Sequence, residues 1–210
     1  SVNIGTIYSC LPVFSYKIHY MNQNYPNIKF NIVHRDPHSL LQLLEKGEID
    51  VLFLRTPTCQ TGGFSSHILQ EDIFTLVVNK NLDPCPESTE IEIAQLKDIP
   101  LCMLRTGKYW GYNEILISAC KKSGFEPNII CECYDTSIAM MMVIMGIGFS
   151  YQPMDIVLAL NNPDIYPKII NGFEIKTFPL LIWNDKKYLP RAVRLFLSLF
   201  DVKTAQNQFS

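Results

Sequence analysis

The chain has 210 residues, of which 48% are hydrophobic and 18% are charged, and its net charge is −2. This balance predicts a folded chain with a large apolar core and excludes a disordered segment. A nearly neutral charge argues against a nucleic-acid surface on this chain, since such surfaces are normally basic, although a basic partner domain outside it stays open.

The first quarter of the chain predicts alternating strands and helices. Strands are expected at 2–6, 28–33 and 49–54, because each is a short apolar or alternating run. One helix is predicted to begin at Ser9, a residue type that caps helices, and a second follows the turn 34–39. The order strand, helix, strand, helix, strand predicts a parallel sheet with right-handed crossovers.

The middle of the chain continues this pattern. Strands are expected at 67–69, 74–78, 100–104 and 129–134, with a helix from about Tyr109 to Ser123. Short apolar runs between turn residues are typical of strands in α/β proteins.

The segment that follows is the most informative. Asp135, Thr136 and Ser137 are capping types, and 138–145 has no polar residue and no helix breaker. An apolar run of this length predicts a helix that is buried on all sides. Gly146 is expected to end it, because glycine accepts positive φ. A capped helix start directly after a strand is also a place where small anions bind.

The remaining elements are predicted from the same signals. They are a helix at 154–160, a strand at 165–170, a strand at 175–183 and an amphipathic helix at 191–200. Pro179 marks the strand at 175–183 as irregular or at an edge, because proline cannot donate to a sheet ladder.

The seven cysteines predict free thiols in a reducing compartment. They are Cys10, Cys59, Cys85, Cys102, Cys120, Cys131 and Cys133. Their odd number and irregular spacing do not form a disulfide framework. Cys131 and Cys133 are two apart in a predicted strand and should share one face. We expect no metal site, since no second pair with suitable spacing exists.

Six short blocks occur along the chain in a characteristic order. They are 4–12, 25–26, 43–50, 69–72 before 74–78, 93–100, and 146–149 with Pro153. In this order they resemble the effector-binding domain of LysR-type transcriptional regulators over nearly the whole chain. The blocks at 43–50 and 146–153 contribute most to the resemblance.

The resemblance implies a type 2 periplasmic-binding-protein fold, with two Rossmann-like α/β subdomains linked by two crossover strands. Residues 1–72 with 175–210 would form subdomain I, and 73–174 subdomain II. A winged helix-turn-helix DNA-binding domain is expected before Ser1, outside this chain. The implied function is to sense a small, anionic effector in the cleft between the subdomains and to signal through oligomer rearrangement.

The resemblance also implies the ligand-binding residues. They are Ser9, Cys10, Arg55, Thr106, Lys108, Tyr109 and Thr136. Hydroxyls and free N–H groups orient an anion, and Arg or Lys adds charge. A purely structural role is the alternative for each: the hydroxyl side chains would cap helices in any case, and Arg55 would pair with a surface acid.

Partners and location follow from the same resemblance. A homodimer or homotetramer is expected, in which the helix near 40–46 packs against the helix near 113–123 of a neighbour. Contact with DNA would occur only through the domain before Ser1. We expect a cytoplasmic protein with no membrane partner and no cofactor.

Two other functions stay open at this point. One is a solute-binding protein of a transport system with the same fold, which unpaired cysteines disfavour. The other is an enzyme, although no nucleophile motif, P-loop or dinucleotide fingerprint is present and we expect no catalysis. The peroxide-sensing branch of the family carries a reactive cysteine after the strand that matches 101–104. Residues 107–110 contain none, so a switch of that type is not expected.

Overall fold

A computed structural model of the chain describes residues 1–56, 61, 63–105 and 111–202. The chain divides into two compact units. The first unit contains residues 1–71 and the chain from 178 onward, and the second contains residues 72–177. The division lies one residue before the predicted boundary at 72 and three residues beyond the predicted boundary at 174.

Strands and helices alternate along the described residues. The strands are β1 (Val2–Thr6), β2 (Phe30–His34), β3 (Val51–Arg55), β4 (Ser65–Ile68), β5 (Asp72–Asn79), β6 (Glu90–Ile91), β7 (Leu101–Leu104), β8 (Ile129–Cys133), β9 (Ser150–Pro153), β10 (Ile165–Ile170), β11 (Lys176–Thr177) and β12 (Pro179–Trp183). The α-helices are α1 (Leu11–Asn24), α2 (Pro37–Lys46), α3 (Tyr112–Lys122), α4 (Thr136–Ile144), α5 (Met154–Leu160) and α6 (Arg191–Ser198). Two 3₁₀ turns lie at Tyr8–Cys10 and Ile93–Asp98.

The sheet of the first unit has the order β2-β1-β3-β12-β4. Strands β2 and β3 both pair in parallel with β1, which confirms the predicted parallel strand–helix–strand units. Its core is aromatic: the Phe53 ring lies 4.6 Å from the Phe14 ring and 5.5 Å from the Phe200 ring. Helix α6 covers this core with its buried face, so its predicted amphipathic pattern is confirmed.

The predicted strand at 175–183 is two strands. Strand β11 pairs with β5 in the second unit, whereas β12 pairs with β3 and β4 in the first. The break confirms that the strand is irregular, which was one of the two alternatives that Pro179 predicted; the other, an edge position, does not apply, because β12 lies between β3 and β4. Pro179 is tolerated there because it is the first residue of its strand.

The second unit is built around β5. This strand pairs antiparallel with β9, β10 and β11, and β10 also pairs with β6. Strands β7 and β8 form a separate parallel pair. Phe149 joins that pair to the segment before β9, because its N–H donates to the Pro100 carbonyl at 2.8 Å and its carbonyl accepts from Cys102 N–H at 2.7 Å.

Helix α4 is buried on one face only, so the prediction of burial on all sides is wrong. Ala139 and Val143 are buried, whereas Ile138 and Met141 are 49% and 51% exposed. Because every residue of the run is apolar, the sequence does not show which face of the helix is buried. In the structure, only one face packs against the rest of the second unit. No helix among the described residues has the length and apolar character needed to cross a bilayer.

Candidate functional site

Ser9 and Cys10 lie in the 3₁₀ turn between β1 and α1, and both are buried. The prediction that Ser9 caps α1 is wrong: Cys10 holds the cap position, and no side chain makes a capping hydrogen bond there. The 3₁₀ turn moves Ser9 one residue upstream of that position. Pro12 stands in the first turn of α1 as predicted.

Arg55 ends β3 and is only 2% exposed. Its Nη2 donates to the backbone carbonyl of Ser9 at 2.9 Å. The structure therefore brings these two predicted site residues together. A buried guanidinium is costly unless hydrogen bonds satisfy it, and this bond also fixes the turn that carries Ser9 and Cys10. Arg55 thus positions the turn from the end of the neighbouring strand.

Thr136 is the first residue of α4 and is largely buried. Asp135 is the cap: its Oδ1 accepts the N–H of Ser137 at 2.7 Å. This confirms the predicted capped helix start after β8. The carboxylate of Asp135 also occupies the place where the helix would attract an anion, since both use the same free N–H groups. Thr136 therefore offers a hydroxyl rather than an open anion site.

Thr106, Lys108 and Tyr109 lie outside the described residues, as does Cys59. Arg105, directly before them, is exposed and pairs with Glu132 at 2.7 Å. In helix α3, the buried Asn113 accepts from the backbone N–H of Leu104 at 3.4 Å. This hydrogen bond links the start of α3 to the end of β7, and no sequence signal indicated it.

Tyr151 is a buried polar residue that sequence reasoning missed. Its ring packs against Phe74 at 5.2 Å and Phe173 at 6.1 Å, and its hydroxyl has no hydrogen-bond partner within the described part of the chain. Burial raises its pKa, and the charge of Glu174 adds to this effect, so the phenol stays protonated. Tyrosine is common in strands, and the residue type alone gave no signal.

A groove of about 580 Å³ lies along α3. It is lined by Ile115, Ser118, Ala119 and Lys122 of that helix and by Phe173. Its walls are mainly apolar. This is the helix at which the resemblance predicts contact with a neighbouring copy.

The arrangement of the described residues offers no evident metal site. No group of three His, Cys, Asp or Glu side chains within 1–56, 61, 63–105 and 111–202 has a geometry that would hold a metal ion.

Residues 2–202 match the family model of the LysR substrate binding domain. Among curated proteins, the HTH-type transcriptional regulator BsdA of Bacillus subtilis (strain 168) is 26% identical over 198 residues, which cover 94% of this chain and 67% of that regulator. The HTH-type transcriptional regulator BudR of Raoultella terrigena is 22% identical over 184 residues, and the chain spans 62% of its length.

A solved structure confirms the fold. The regulatory domain of Synechocystis PCC6803 CcmR in complex with 2-PG matches with a TM-score of 0.77 at 14% identity, and the match covers 97% of each chain. At this identity the likeness shows the fold, which is that of type 2 periplasmic-binding proteins.

Proposed function

This chain belongs to the LysR substrate-binding domain family, and we propose that it senses a small anionic metabolite for a transcription regulator. The family match over residues 2–202 carries the proposal. BsdA and BudR, both described as transcriptional regulators, favour a sensor over a transport protein or an enzyme. The chain spans 67% and 62% of their lengths, so we assign DNA binding to a helix-turn-helix domain outside it. Because both relatives are described as transcriptional regulators, we assign the whole protein to the cytoplasm.

We infer that hydroxyls and one lysine bind the effector. Ser9 follows β1 and Thr136 follows β8, so each lies where a strand turns into a helix. Arg55 is held at the Ser9 carbonyl, and Asp135 brings negative charge to α4. Lys108 is therefore the residue we expect to balance a carboxylate. Cys10, Arg55, Thr106 and Tyr109 complete the proposed set, Arg55 through the turn that it holds at the Ser9 carbonyl.

Effector binding acts on the regulator only if the ligand prefers one arrangement of the protein over another. We propose that this preference changes the oligomer and thereby the attached DNA-binding domains. The CcmR regulatory domain in complex with 2-PG supports a ligand-binding role for domains of this fold.

Removal of a proposed ligand hydroxyl should weaken effector binding. A thermal-shift screen of small carboxylates, with matched phosphates and neutral amides, identifies a binding compound, and calorimetry then gives its Kd. Ser9→Ala and Thr136→Ala should each raise Kd by about 10-fold to 100-fold, because a hydrogen bond to a charged group contributes about 1.5–3 kcal/mol. Lys108→Met should abolish binding of the carboxylate.

Ser15→Ala is the matched control for this experiment. Its hydroxyl donates to the Leu11 carbonyl on an exposed turn of α1, and its loss should leave Kd unchanged. An unchanged Kd in both Ser9→Ala and Thr136→Ala would exclude these two residues from the site. Binding of amides alone would contradict the anionic effector.

A charge in the α3 groove should break the oligomer. We propose that the groove receives a helix of a second copy, so Ala119→Glu would place a larger, charged side chain in that mainly apolar contact. Light scattering after size exclusion should show a dimer for the unchanged chain and a monomer for this variant at the same concentration. Ala159→Glu, on an exposed position of α5, is the control and should stay dimeric. A dimer that survives Ala119→Glu would place the interface elsewhere.

A further inference from the structure

Three thiols lie side by side on the β7–β8 pair. Cys102 of β7 is the register partner of Cys131 of β8. The Sγ atoms of Cys131 and Cys133 are 3.5 Å apart. The thiol of Cys131 also interacts with that of Cys102. Cys131 is therefore the middle member of a contiguous group, with one thiol beside it across the strands and one along its own strand.

We propose that Cys131 and Cys102 form a reversible disulfide by exchange with a small-molecule disulfide. The choice of pair follows from strand geometry. Neighbouring strands lie about 4.8 Å apart, inside the range of Cα separations of about 4.4–6.8 Å that disulfides span. Residues two apart along one strand are separated by about 6.6 Å, at the upper end of that range. The cross-strand pair closes with less distortion than Cys131 with Cys133.

The exposure of the two cysteines determines which of them reacts first with the small-molecule disulfide. Cys131 is half-buried, whereas Cys102 and Cys133 are buried. Burial raises the pKa of Cys102 to about 11, and the neighbouring thiol of Cys131 adds to this effect. Burial also raises the pKa of Cys133 to about 12. Cys131 is thus the thiol that an external disulfide reaches, and Cys102 enters second.

The small-molecule disulfide is the only oxidant that the exchange needs. The Cys131 thiolate attacks one sulfur of the small disulfide, its S–S bond breaks, and one small thiolate leaves. The Cys102 sulfur, as it loses its proton, attacks the Cys131 sulfur of the mixed disulfide and expels the second small thiolate. The two protons of the protein thiols pass to the two leaving thiolates. The protein dithiol is oxidised and the small disulfide is reduced to two thiols.

The bond would tie together two strands that lead into proposed ligand residues. Strand β7 precedes 106–109, and β8 precedes Thr136. The two strand ends already meet through the Arg105 N–H, which donates to the Cys133 carbonyl at 2.7 Å. The inference rests on the thiol geometry and stands whether or not the chain binds an anion.

Peptide mapping tests which pair forms. The reduced chain is equilibrated with glutathione buffers of increasing oxidised fraction, blocked with an alkylating reagent and digested with trypsin. Trypsin separates Cys102, in peptide 98–105, from Cys131 and Cys133, in peptide 123–168. We expect a cross-link between these two peptides that dithiothreitol removes. A loop inside 123–168, a glutathione adduct on Cys131 without a cross-link, or three alkylated thiols throughout would each overturn the proposal.

Serine variants provide the second readout. Cys131→Ser and Cys102→Ser should each abolish the cross-link, whereas Cys133→Ser should retain it. Cys120→Ser is the matched control, because Cys120 is buried in the core at α3 and belongs to a different cluster of side chains. A cross-link that persists in Cys131→Ser, or that is lost only in Cys133→Ser, would also overturn the assignment.

Discussion

Lys168→Met should lower the free energy of unfolding by about 3–5 kcal/mol, because it leaves a buried carboxylate without its counter-ion. Lys168 Nζ lies 2.7 Å from each oxygen of Asp83 and 2.6 Å from the Cys85 carbonyl. The side chains of Lys168 and Asp83 are both 0% exposed. The Tyr166 hydroxyl donates to the same carboxylate. Urea unfolding followed by circular dichroism measures the loss.

The pH dependence of this effect has a defined sign. Burial alone would raise the pKa of Asp83, but hydrogen bonds from Lys168 and Tyr166 outweigh it and hold that pKa below its ordinary value. A carboxyl with a lowered folded-state pKa stabilises the fold above its unfolded pKa of about 3.9 and loses this contribution as pH falls through the folded value. The penalty of Lys168→Met should therefore be largest near neutral pH and shrink below about pH 4.

The pair Lys80–Asp164 is the matched control. Its ions are 2.5 Å apart, yet the side chains are 49% and 46% exposed. Lys80→Met should cost about 0–1 kcal/mol, because water and salt screen an exposed pair. The double variant Lys168→Met with Asp83→Asn should recover part of the loss, since it removes the stranded charge. Equal costs for Lys80→Met and Lys168→Met would contradict a special role of burial.

Local chemical signals predicted much of the first unit. The predicted second helix is present as α2, but it begins at Pro37, inside the predicted turn 34–39, because the carboxylate of Asp36 accepts the N–H of Ser39; it ends at Gly47, which has a φ of 81°. Residues 51–54 of β3 are buried, as their apolar side chains predict, and Arg55 at the end of the strand is buried as well. Such signals act over a few residues, so a sequence displays them directly.

Features that depend on distant partners could not be predicted. The Lys168–Asp83 pair joins residues 85 positions apart. The 3₁₀ turn that displaces Ser9 from the cap position is held by Arg55 from another strand. The break at Phe178 arises because β11 and β12 find partners in different units. Each of these features depends on how distant segments of the chain pair, and a local sequence pattern does not specify that pairing.

In the candidate sites, too, local features could be predicted and contacts between distant residues could not. That Cys131 and Cys133 share a face follows from the two-residue period of a strand, and the contact of their sulfurs confirms it. Cys102 joins them only because β7 and β8 pair in one particular register. Similarly, the cap at Asp135 is local, whereas the burial of Tyr151 among Phe74 and Phe173 is not.

Gly148→Ala should destabilise the second unit by about 3 kcal/mol, because overpacking of a rigid core site has a cost of this order. A Cβ at this position would lie 2.7 Å from the Pro100 carbonyl oxygen and 3.1 Å from Cys102 Sγ. The carbonyl cannot withdraw freely, since it accepts the N–H of Phe149 at 2.8 Å. Any shift of this carbonyl that relieves the clash therefore weakens the hydrogen bond that links the start of β7 to the segment before β9.

Gly146→Ala separates this steric effect from backbone strain. Gly146 has a φ of 69°, and the nearest atom to an added Cβ is 3.7 Å away, so only the left-handed backbone is penalised, by about 1–2 kcal/mol. Thermal and urea unfolding of both variants should rank Gly148→Ala as the more damaging. Adding Cys102→Ala to Gly148→Ala should recover little, because it removes the sulfur contact and leaves the carbonyl in place. A full recovery would show that the thiol, and not the backbone of Pro100, requires a glycine here.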